Sequence, residues 1–235
     1  KTQKNIISEI LDRHNIHLLH FLWGVGICMW GPYLNRKYII TTRGSDVLQR
    51  VHFDYIPKIN LKSLIYRNGR NLVFKKHLLK RTYLNAEILT STSFKQKNTI
   101  EKFLKKKLPI QIIRTGVNIK QFKPIENRSD NEKTIIFSPR SMTPLYNQKT
   151  IIEAFEKFSK KCPNSHLRMI NNRPDTEYSL QIKDFIIKRN LKNKITLLPE
   201  LTNEEMNLEY NNADQVIMIP KTDGTPVSAL ESMLC

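Results

Sequence analysis

The chain has 235 residues, 40% of them apolar and 9% aromatic, and its 39 Lys and Arg against 21 Asp and Glu give a net charge of +18. This composition excludes a disordered polar tail, and the length fits one large domain or two small ones. The charge directs the search for partners to nucleic acid, anionic lipid and phosphorylated small molecules.

The first half alternates short β-branched runs with segments of helical period, which is typical of βαβ units and a parallel sheet. Strands are predicted at Ile16–Phe21, Tyr38–Thr42, Ala86–Ser91 and Ile110–Ile113. Helices are predicted at Leu61–Leu84, with buried Leu61, Leu64, Ile65, Leu72 and Leu79, and at Phe94–Lys107, and a looser segment is expected at Trp23–Leu34. The longest apolar stretch, 18–30, is shorter than the ~20 residues of a membrane-spanning helix, so none is predicted.

Most of the positive charge lies in residues 58–107, where fourteen basic residues against Glu87 and Glu101 give +12 of the +18. Three interpretations stay open: a solvated lysine-rich surface, adsorption to an anionic membrane, or nucleic-acid binding. A membrane-facing surface gains ~1 kcal/mol per basic residue near the headgroups. Nucleic acid is not expected, because no binding motif accompanies the charge and the aromatic residues are spaced as core contacts. These aromatic residues are Tyr66, Phe74, Tyr83 and Phe103.

A polar segment at 125–133 predicts a linker between an N-terminal domain, 1–124, and a C-terminal domain, 134–235. In the second domain strands are predicted at Thr134–Ser138, His166–Ile170, Lys194–Leu198 and Gln215–Ile219. Helices are predicted at Gln148–Ser159, Glu177–Arg189, Asn203–Tyr210 and Pro226–Leu234, the third opened by a capping box of Thr202 and Glu205. Ligands of such doubly wound sheets bind at the carboxyl ends of the strands, so the loops that follow the strands are where chemistry is expected.

The loop after the last predicted strand places Asp223 and Glu231 eight residues apart, with Pro226 as a first-turn helix proline between them. Asp223 can either accept hydrogen bonds from sugar hydroxyls or cap its own turn before Gly224. The N–H groups of Thr225–Ser228 can bind a diphosphate, and Glu231 can reach a ribose diol. A sugar nucleotide has this layout of hydroxyls, diphosphate and diol.

This loop resembles the E-x7-E region of glycosyltransferase family 4, the group 1 transferases of the two-domain GT-B fold, with Asp223 in place of the first Glu. Four further stretches are similar to the family's motifs, in the same order: Asp12–Asp46 (DRHNIHLLHFLWG…KYIITTRGSD), Ala86–Phe94 (AEILTSTSF), Ile112–Pro124 (IIRTGVNIKQFKP) and Thr134–Phe155 (TIIFSPRSMTPLYNQKTIIEAF). The resemblance implies an α/β fold of two Rossmann-like, doubly wound parallel-sheet domains facing a cleft. Both domains are expected to be incomplete, the first lacking its opening strands and the second its C-terminal end.

The resemblance implies three catalytic residues: Arg140 to clamp the donor diphosphate, Asp223 to bind sugar hydroxyls and Glu231 to bind the ribose. The place of the family's partner lysine falls on Tyr146, and Lys149 is the alternative cation. The remaining donor-binding positions implied are Gly224, Thr225, Pro226 and Val227 around the sugar and phosphates, and Pro199 and Glu200 at the base.

In the first domain the resemblance places His20, Arg43 and Gly44 in the cleft, with Arg43 where many members carry a histidine. Arginine cannot act as a base at neutral pH, so its role would be orientation or electrostatics. His14, His17 and His20 do not predict a zinc site, because a spacing of three alternates the faces of a strand and no Cys or acidic ligand accompanies them. No metal or other cofactor is expected.

The expected function is a retaining glycosyltransferase that moves a sugar from a UDP- or GDP-sugar to a glycan or lipid-linked acceptor by front-face attack, in bacterial surface polysaccharide synthesis. The alternatives are a GT-B sugar-nucleotide epimerase and a basic nucleic-acid-binding protein. Cys28, Cys162 and Cys235 are too far apart for a disulfide framework, which favours a cytoplasmic setting. The basic segment 58–107 would hold the enzyme peripherally on the inner face of the membrane, and this fragment alone is expected to be inactive.

Overall fold

The structure is a computed structural model, and it describes residues 3–48, 76–126 and 132–235. The chain divides into two compact units, the first formed by Lys1–Thr115 with Thr222–Thr225 and the second by Gly116–Lys221 with Pro226–Cys235. The first part of the predicted helix Leu61–Leu84 lies outside the described residues, and so do its expected core positions Leu61, Leu64, Ile65 and Leu72.

The first unit is built on a four-stranded parallel sheet in the order β1-β2-β3-β4. Its strands are Leu18–Phe21 (β1), Lys37–Thr42 (β2), Ile88–Ser91 (β3) and Gln111–Ile112 (β4). Its helices are Gln3–Arg13 (α1), Ser45–Leu48 (α2), residues 76–84 (α3) and Phe94–Leu104 (α4). The four predicted strands are confirmed in order, within three residues at each end.

The core of the first unit joins the sheet to the helices through fully buried side chains such as Cys28, Ile40, Tyr83 and Ile100. The segment expected to be looser instead contains a 3-10 helix at Gly26–Tyr33. α4 ends at Leu104 rather than at the predicted Lys107, because Lys105 adopts a left-handed conformation with φ of 56° that stops the helix.

The second unit holds another four-stranded parallel sheet, in the order β7-β6-β5-β8. Its strands are Thr134–Ser138 (β5), Ser165–Ile170 (β6), Ile195–Leu198 (β7) and Gln215–Val216 (β8). Its α-helices are Gln148–Lys161 (α5), Glu177–Lys188 (α6), Asn203–Asn212 (α7) and Val227–Ser232 (α8), and a 3-10 turn covers Pro144–Tyr146. The strand order changes direction at β5, which has β6 on one side and β8 on the other, so β5 marks the point where ligands of such sheets bind.

Two features of the second unit follow from local sequence. The predicted capping box is confirmed: Thr202 Oγ1 accepts the N–H of Glu205 at 3.2 Å, and Glu205 Oε2 accepts the N–H of Thr202 at 2.7 Å. β8 was predicted to continue to Ile219 and ends at Val216 instead. Its neighbour β5 ends at Ser138, and Pro139 has no N–H with which to extend the ladder.

The predicted helix Pro226–Leu234 is also shorter in the structure. α8 has six residues, and Pro226 is its N-cap rather than its first helical residue. Arg140 lies just beyond the end of β5. The neighbouring strand β8 leads into α8, so Arg140 and α8 follow two adjacent strands of the sheet.

The boundary between the units falls ahead of the predicted linker at 125–133. The N–H of Lys123 donates to Asn207 Oδ1 at 3.1 Å, and the N–H of Ile125 donates to Asn211 Oδ1 at 2.9 Å, which ties this segment to α7. Phe122 is buried against the Tyr210 ring, with centroids 6.0 Å apart. Residues 116–126 therefore pack as part of the second unit.

Cys28, Cys162 and Cys235 are all free thiols. In the part of the chain that the structure describes, no helix combines the length and apolar character that crossing a membrane requires.

Candidate active site

Arg140 follows the central strand β5 of the second unit, and its guanidinium is held by two side chains. Nη1 donates to Ser228 Oγ in α8 at 3.1 Å, and Nη2 donates to the hydroxyl of Tyr146 at 2.8 Å. The Tyr146 ring also lies under the guanidinium, with Cζ 4.2 Å from the ring centroid. A cation stacked and hydrogen-bonded in this way has a fixed orientation at the carboxyl edge of the sheet.

Glu231 lies on α8 three residues after Ser228, so the two side chains share one face of the helix. The buried hydroxyl of Tyr210, from α7, donates to Glu231 Oε2 at 3.1 Å. Burial and the nearby Glu231 carboxylate raise the pKa of Tyr210 far above its usual range, so the phenol stays protonated. The structure thus brings Arg140 and Glu231, both predicted site residues, to the same short helix.

The predicted base-contacting residues Pro199 and Glu200 line a cavity of about 450 Å³ at the carboxyl ends of β6 and β7. Asn171 and Asn172, which follow β6, line the same cavity. The Asn172 Nδ2 group donates to Ser141 Oγ at 3.2 Å, while its Oδ1 is buried and has no hydrogen-bond partner among the described residues. The lining of the cavity therefore combines polar side chains with the apolar side chains of Leu197 and Leu198.

Lys149 is placed apart from this arrangement. It lies on the exposed side of α5, with its ammonium 5.8 Å from the Phe185 ring centroid. Of the two residues considered for the family's lysine position, Tyr146 is the one that contacts Arg140. Pro226 and Val227, predicted to line the donor, belong to the second unit at the start of α8.

A buried carboxylate organises the first unit at the carboxyl end of β2. Asp46 is fully buried and accepts four backbone N–H groups: Gly24 at 2.7 Å, Gly44 at 2.8 Å, Val47 at 3.0 Å and Arg43 at 3.1 Å. Donors arranged around a carboxylate in this way satisfy its charge without a cation. Asp46 therefore fixes the two loops that carry Gly24 and Gly44.

The other face of the Gly24 turn is closed by Tyr83, whose hydroxyl donates to the Gly24 carbonyl at 2.6 Å. A Cβ at Gly24 would lie 2.7 Å from that hydroxyl and 2.8 Å from Thr42 Cγ2, so only glycine fits here. Burial, with a smaller contribution from Asp46, raises the pKa of the adjacent Cys28 thiol to about 12. Cys28 is thus an inert core residue.

Of the three residues expected on the acceptor side, Arg43 and Gly44 contact the Asp46 carboxylate through their backbone N–H groups. His20 is exposed, and its Nε2 lies 2.7 Å from Thr41 Oγ1. Arg43 exposes its side chain while its backbone binds Asp46. Gly44 is buried with φ of +137°, a conformation that favours glycine.

Asp223, Gly224 and Thr225 belong to the first compact unit, although their neighbours on both sides in the chain belong to the second. Asp223 Oδ1 accepts the N–H of Gly224 at 2.8 Å, which is the turn-capping contact considered from the sequence. Thr225 Oγ1 donates to the Thr92 carbonyl at 3.0 Å. A role of Asp223 toward a sugar stays a prediction.

Sequence reasoning gave no role to Asp46, to Tyr210 or to the side chain of Ser228, whose backbone N–H alone was assigned to the diphosphate. Asp46 is the last residue of the stretch Asp12–Asp46, which is similar to a motif of the family, but the sequence does not show that its side chain is buried. Tyr210 and Ser228 carried no local signal, because their partners are distant in sequence. No group of three or more His, Cys, Asp or Glu side chains in 3–48, 76–126 and 132–235 is placed to hold a metal ion.

Residues 119–235 match the family described as glycosyl transferases group 1. The matched range contains both Arg140 and Glu231, so the second part of the chain carries the sequence signature of group 1 glycosyltransferases. Among curated protein sequences, none gives a significant match to the chain.

Solved structures superpose on nearly the whole chain. Sucrose-phosphate synthase from Thermosynechococcus elongatus gives a TM-score of 0.76 at 14% identity, covering 98% of this chain and 57% of its own. HepE from Anabaena, in complex with UDP and glucose, gives 0.72 at 14% identity, covering 99% and 60%. A glycosyltransferase from Rickettsia africae gives 0.62 at 20% identity, covering 92% and 55%.

Identities at this level establish the fold alone. The fold is that of the GT-B glycosyltransferases, with two parallel-sheet α/β units, and the predicted fold class is confirmed. The chain spans between 55% and 60% of the length of these three proteins.

Proposed function

We propose that this protein is a retaining glycosyltransferase of family 4 that transfers a sugar from a nucleoside diphosphate donor to a glycan or lipid-linked acceptor in bacterial surface polysaccharide synthesis. The observation that carries the proposal is the meeting of Arg140 and Glu231 at α8, inside the range that matches group 1 glycosyltransferases. A fixed cation and a carboxylate at the carboxyl edge of a parallel sheet suit a diphosphate and a ribose diol.

Each residue has one role in this proposal. Arg140 binds the diphosphate and stabilises the charge that develops on it as the sugar departs, which is usually the largest catalytic contribution. Glu231 accepts hydrogen bonds from the ribose hydroxyls, and Asp223 accepts them from the sugar. The backbone of 224–227 lines the sugar and phosphates.

The nucleobase and the acceptor are assigned to other residues. The base occupies the cavity lined by Pro199 and Glu200. His20, Arg43 and Gly44 contact the acceptor. Lys149 is left out of the donor site, because its ammonium is directed to Phe185. Since HepE is solved with UDP and glucose, UDP-sugars are the first donors to test.

The test has two stages on the full protein. A thermal-shift panel of UDP- and GDP-sugars should raise the Tm with one nucleotide only, since binding to the folded state stabilises it. The nucleotide that binds is then used in a transfer assay, in the presence of EDTA because no metal is proposed, and the anomeric configuration of the product is read by NMR. Inversion at the anomeric carbon would contradict the retaining mechanism, and absence of any nucleotide binding would contradict the function.

Incubation with labelled sugar nucleotide and no acceptor separates this function from an epimerase. A transferase leaves the donor sugar unchanged, whereas an epimerase converts it without an acceptor. Conversion in the absence of acceptor would therefore favour the epimerase.

Tyr146 provides a first test of the Arg140 environment. Tyr146→Phe removes the hydroxyl that Arg140 donates to and keeps the ring beneath it. We expect kcat/KM to fall about tenfold or more, because a hydrogen bond to a charged group contributes about 1.5–3 kcal/mol. Tyr146→Lys restores the family's residue type and should be more active than Tyr146→Phe. An unchanged kcat/KM in Tyr146→Phe would show that the hydroxyl does not serve Arg140.

We also propose that the basic segment 58–107 binds an anionic membrane surface. Its described part includes exposed Lys102, Lys106 and Lys107 near the end of α4. Reversing these three charges to Glu should weaken binding to anionic vesicles, measured by sedimentation, about 100-fold or more, since each basic residue contributes ~1 kcal/mol. The matched control reverses Lys157, Lys160 and Lys161 on α5, which are also exposed. Equal loss in both variants, or binding unaffected by salt, would overturn the membrane proposal.

A further inference from the structure

A short hydrogen-bonded turn carries Tyr146 to Arg140 at the carboxyl edge of the second sheet. Pro144 opens the 3-10 turn, and the N–H of Tyr146 donates to the Thr143 carbonyl at 3.0 Å. Asn147 ends the turn in a left-handed conformation with φ of 54°, which asparagine adopts more readily than most residues. The residue types on both sides of Tyr146 therefore favour the backbone conformation that the structure shows.

The same turn is fixed to the segment that follows β8. The N–H of Lys221 donates to the Leu145 carbonyl at 2.8 Å, and Asn147 Nδ2 donates to the Ile219 carbonyl at 2.8 Å. These two anchors lie immediately before and after Tyr146 in the chain. Its ring lies under the guanidinium, with 4.2 Å between the ring centroid and Cζ, so the phenol has a defined place beside that cation.

The contact with Arg140 does not use the hydrogen of the Tyr146 hydroxyl. A guanidinium can only donate, so the phenol oxygen accepts from Nη2 at 2.8 Å through a lone pair and keeps its own hydrogen for a second partner. None of the groups that the structure describes accepts that hydrogen. A hydrogen bond accepted from a cation also polarises the O–H bond, which strengthens it as a donor. Tyr146 is only partly buried, so a ligand can reach this hydroxyl.

We propose that Tyr146 is a catalytic residue that donates a hydrogen bond to the diphosphate of the sugar nucleotide. This inference rests on the proposed function, because it assigns the diphosphate to Arg140. The phenol oxygen is 2.8 Å from Nη2, so an anion as large as a diphosphate can contact both groups. The hydrogen bond strengthens as negative charge develops on the departing phosphate, and the proton stays on the phenol oxygen throughout. Tyr146 thus acts as a neutral hydrogen-bond donor, whereas the ammonium of Lys149 is directed to Phe185.

The experiment separates this role from one in which Tyr146 only accepts the hydrogen bond of Arg140. Replacing Tyr146 with 3,5-difluorotyrosine in the full protein makes the phenol a stronger hydrogen-bond donor and a weaker acceptor. We expect kcat for sugar transfer to rise about two- to threefold, at a pH low enough to keep the phenol protonated, because a more acidic donor stabilises the developing charge better. A role as acceptor alone predicts a lower kcat.

The matched control is the same replacement at Tyr33. Tyr33 is also partly buried and also lies beside an arginine, with its ring centroid 5.4 Å from Cζ of Arg81 in the first unit. It has no place in the proposed site, so 3,5-difluorotyrosine at this position should leave kcat unchanged.

Two ordinary substitutions provide a second measurement. Tyr146→Lys keeps a hydrogen-bond donor and removes the acceptor, whereas Tyr146→Phe removes both. We expect kcat to fall about tenfold or more in Tyr146→Phe and to stay within about threefold of wild type in Tyr146→Lys. Equally low kcat values in the two variants would show that Tyr146 serves Arg140 as an acceptor, and would overturn the inference.

The possible outcomes separate the inference from the proposed function. If the wild type neither binds a nucleotide nor transfers a sugar, the proposed function fails and the inference fails with it. If the wild type transfers a sugar and the difluorotyrosine protein has an unchanged or lower kcat, the inference alone is overturned. An equal rise of kcat in the Tyr33 control also overturns it, since the effect would not then depend on the site.

Discussion

Replacing Arg140 with lysine is expected to lower kcat/KM for sugar transfer by about 100-fold while leaving the fold intact. Preorganised charge on a developing anion contributes about 100- to 1,000-fold to catalysis in mutational tests. Lysine keeps the charge and loses the planar fork that donates to Ser228 and Tyr146 together. The measurement is steady-state kinetics with the donor identified by thermal shift, alongside the Tm of each variant.

Arg189→Lys is the matched control for this substitution. Arg189 also stacks on an aromatic ring, with Cζ 4.4 Å from the Phe185 centroid, and it forms an ion pair with Glu156 in the second unit. It lies at the end of α6, outside the proposed site. Arg189→Lys should retain kcat/KM within about threefold of wild type. Activity of Arg140→Lys at the control's level would remove Arg140 from the catalytic machinery.

Removing the Asp46 carboxylate is expected to give the largest loss of stability. Asp46→Ala removes the acceptor of the backbone N–H groups of Gly24, Arg43 and Gly44, whereas the Val47 N–H keeps the Gly44 carbonyl at 3.1 Å. Each buried unsatisfied group costs about 1–3 kcal/mol, so the free energy of unfolding of the first unit should fall by about 3 kcal/mol or more. Both tryptophans, Trp23 and Trp30, lie in this unit, so the fluorescence change in urea reports its unfolding selectively.

Asp12→Ala serves as the control for that loss. The Asp12 side chain is 64% exposed and pairs with Arg36 at the surface of the same unit. A surface ion pair contributes about 0–1 kcal/mol, so the urea midpoint should change little. Equal midpoints for Asp46→Ala and Asp12→Ala would show that the Asp46 contacts do not stabilise the unit.

The elements that the sequence predicted well are those governed by local rules. β5 was predicted with its observed ends, because a β-branched run stops at a proline, and the Thr202 and Glu205 box depends on residues three apart. The 3-10 helix Gly26–Tyr33 was not anticipated, because its glycines and proline favour a loop. Within it the Tyr38 ring lies against Gly31, where a Cβ would come within 2.9 Å, and this contact between distant residues is not visible in the local sequence.

The same division holds for the candidate site. The resemblance to glycosyltransferase family 4 implied roles for Arg140 and Glu231, and in the structure Glu231 lies on α8 and Arg140 contacts Ser228 of the same helix. The side chains of Ser228 and Tyr210, which contact them, were not identified, because the hydroxyl of Tyr210 meets Glu231 only when α7 packs beside α8. Likewise, the four backbone N–H groups that donate to Asp46 come together only when the loop after β1, which carries Gly24, packs against the loop after β2.

The contact between Arg140 and Ser228 joins residues 88 positions apart in the chain. The strands β5 and β8 are neighbours in the sheet, but β6, β7 and their helices lie between them in the chain. Closing a long loop costs conformational entropy before the contact forms. We therefore expect β5, β6 and β7 to assemble first and the pairing of β5 with β8, together with the contact between Arg140 and Ser228, to form after them.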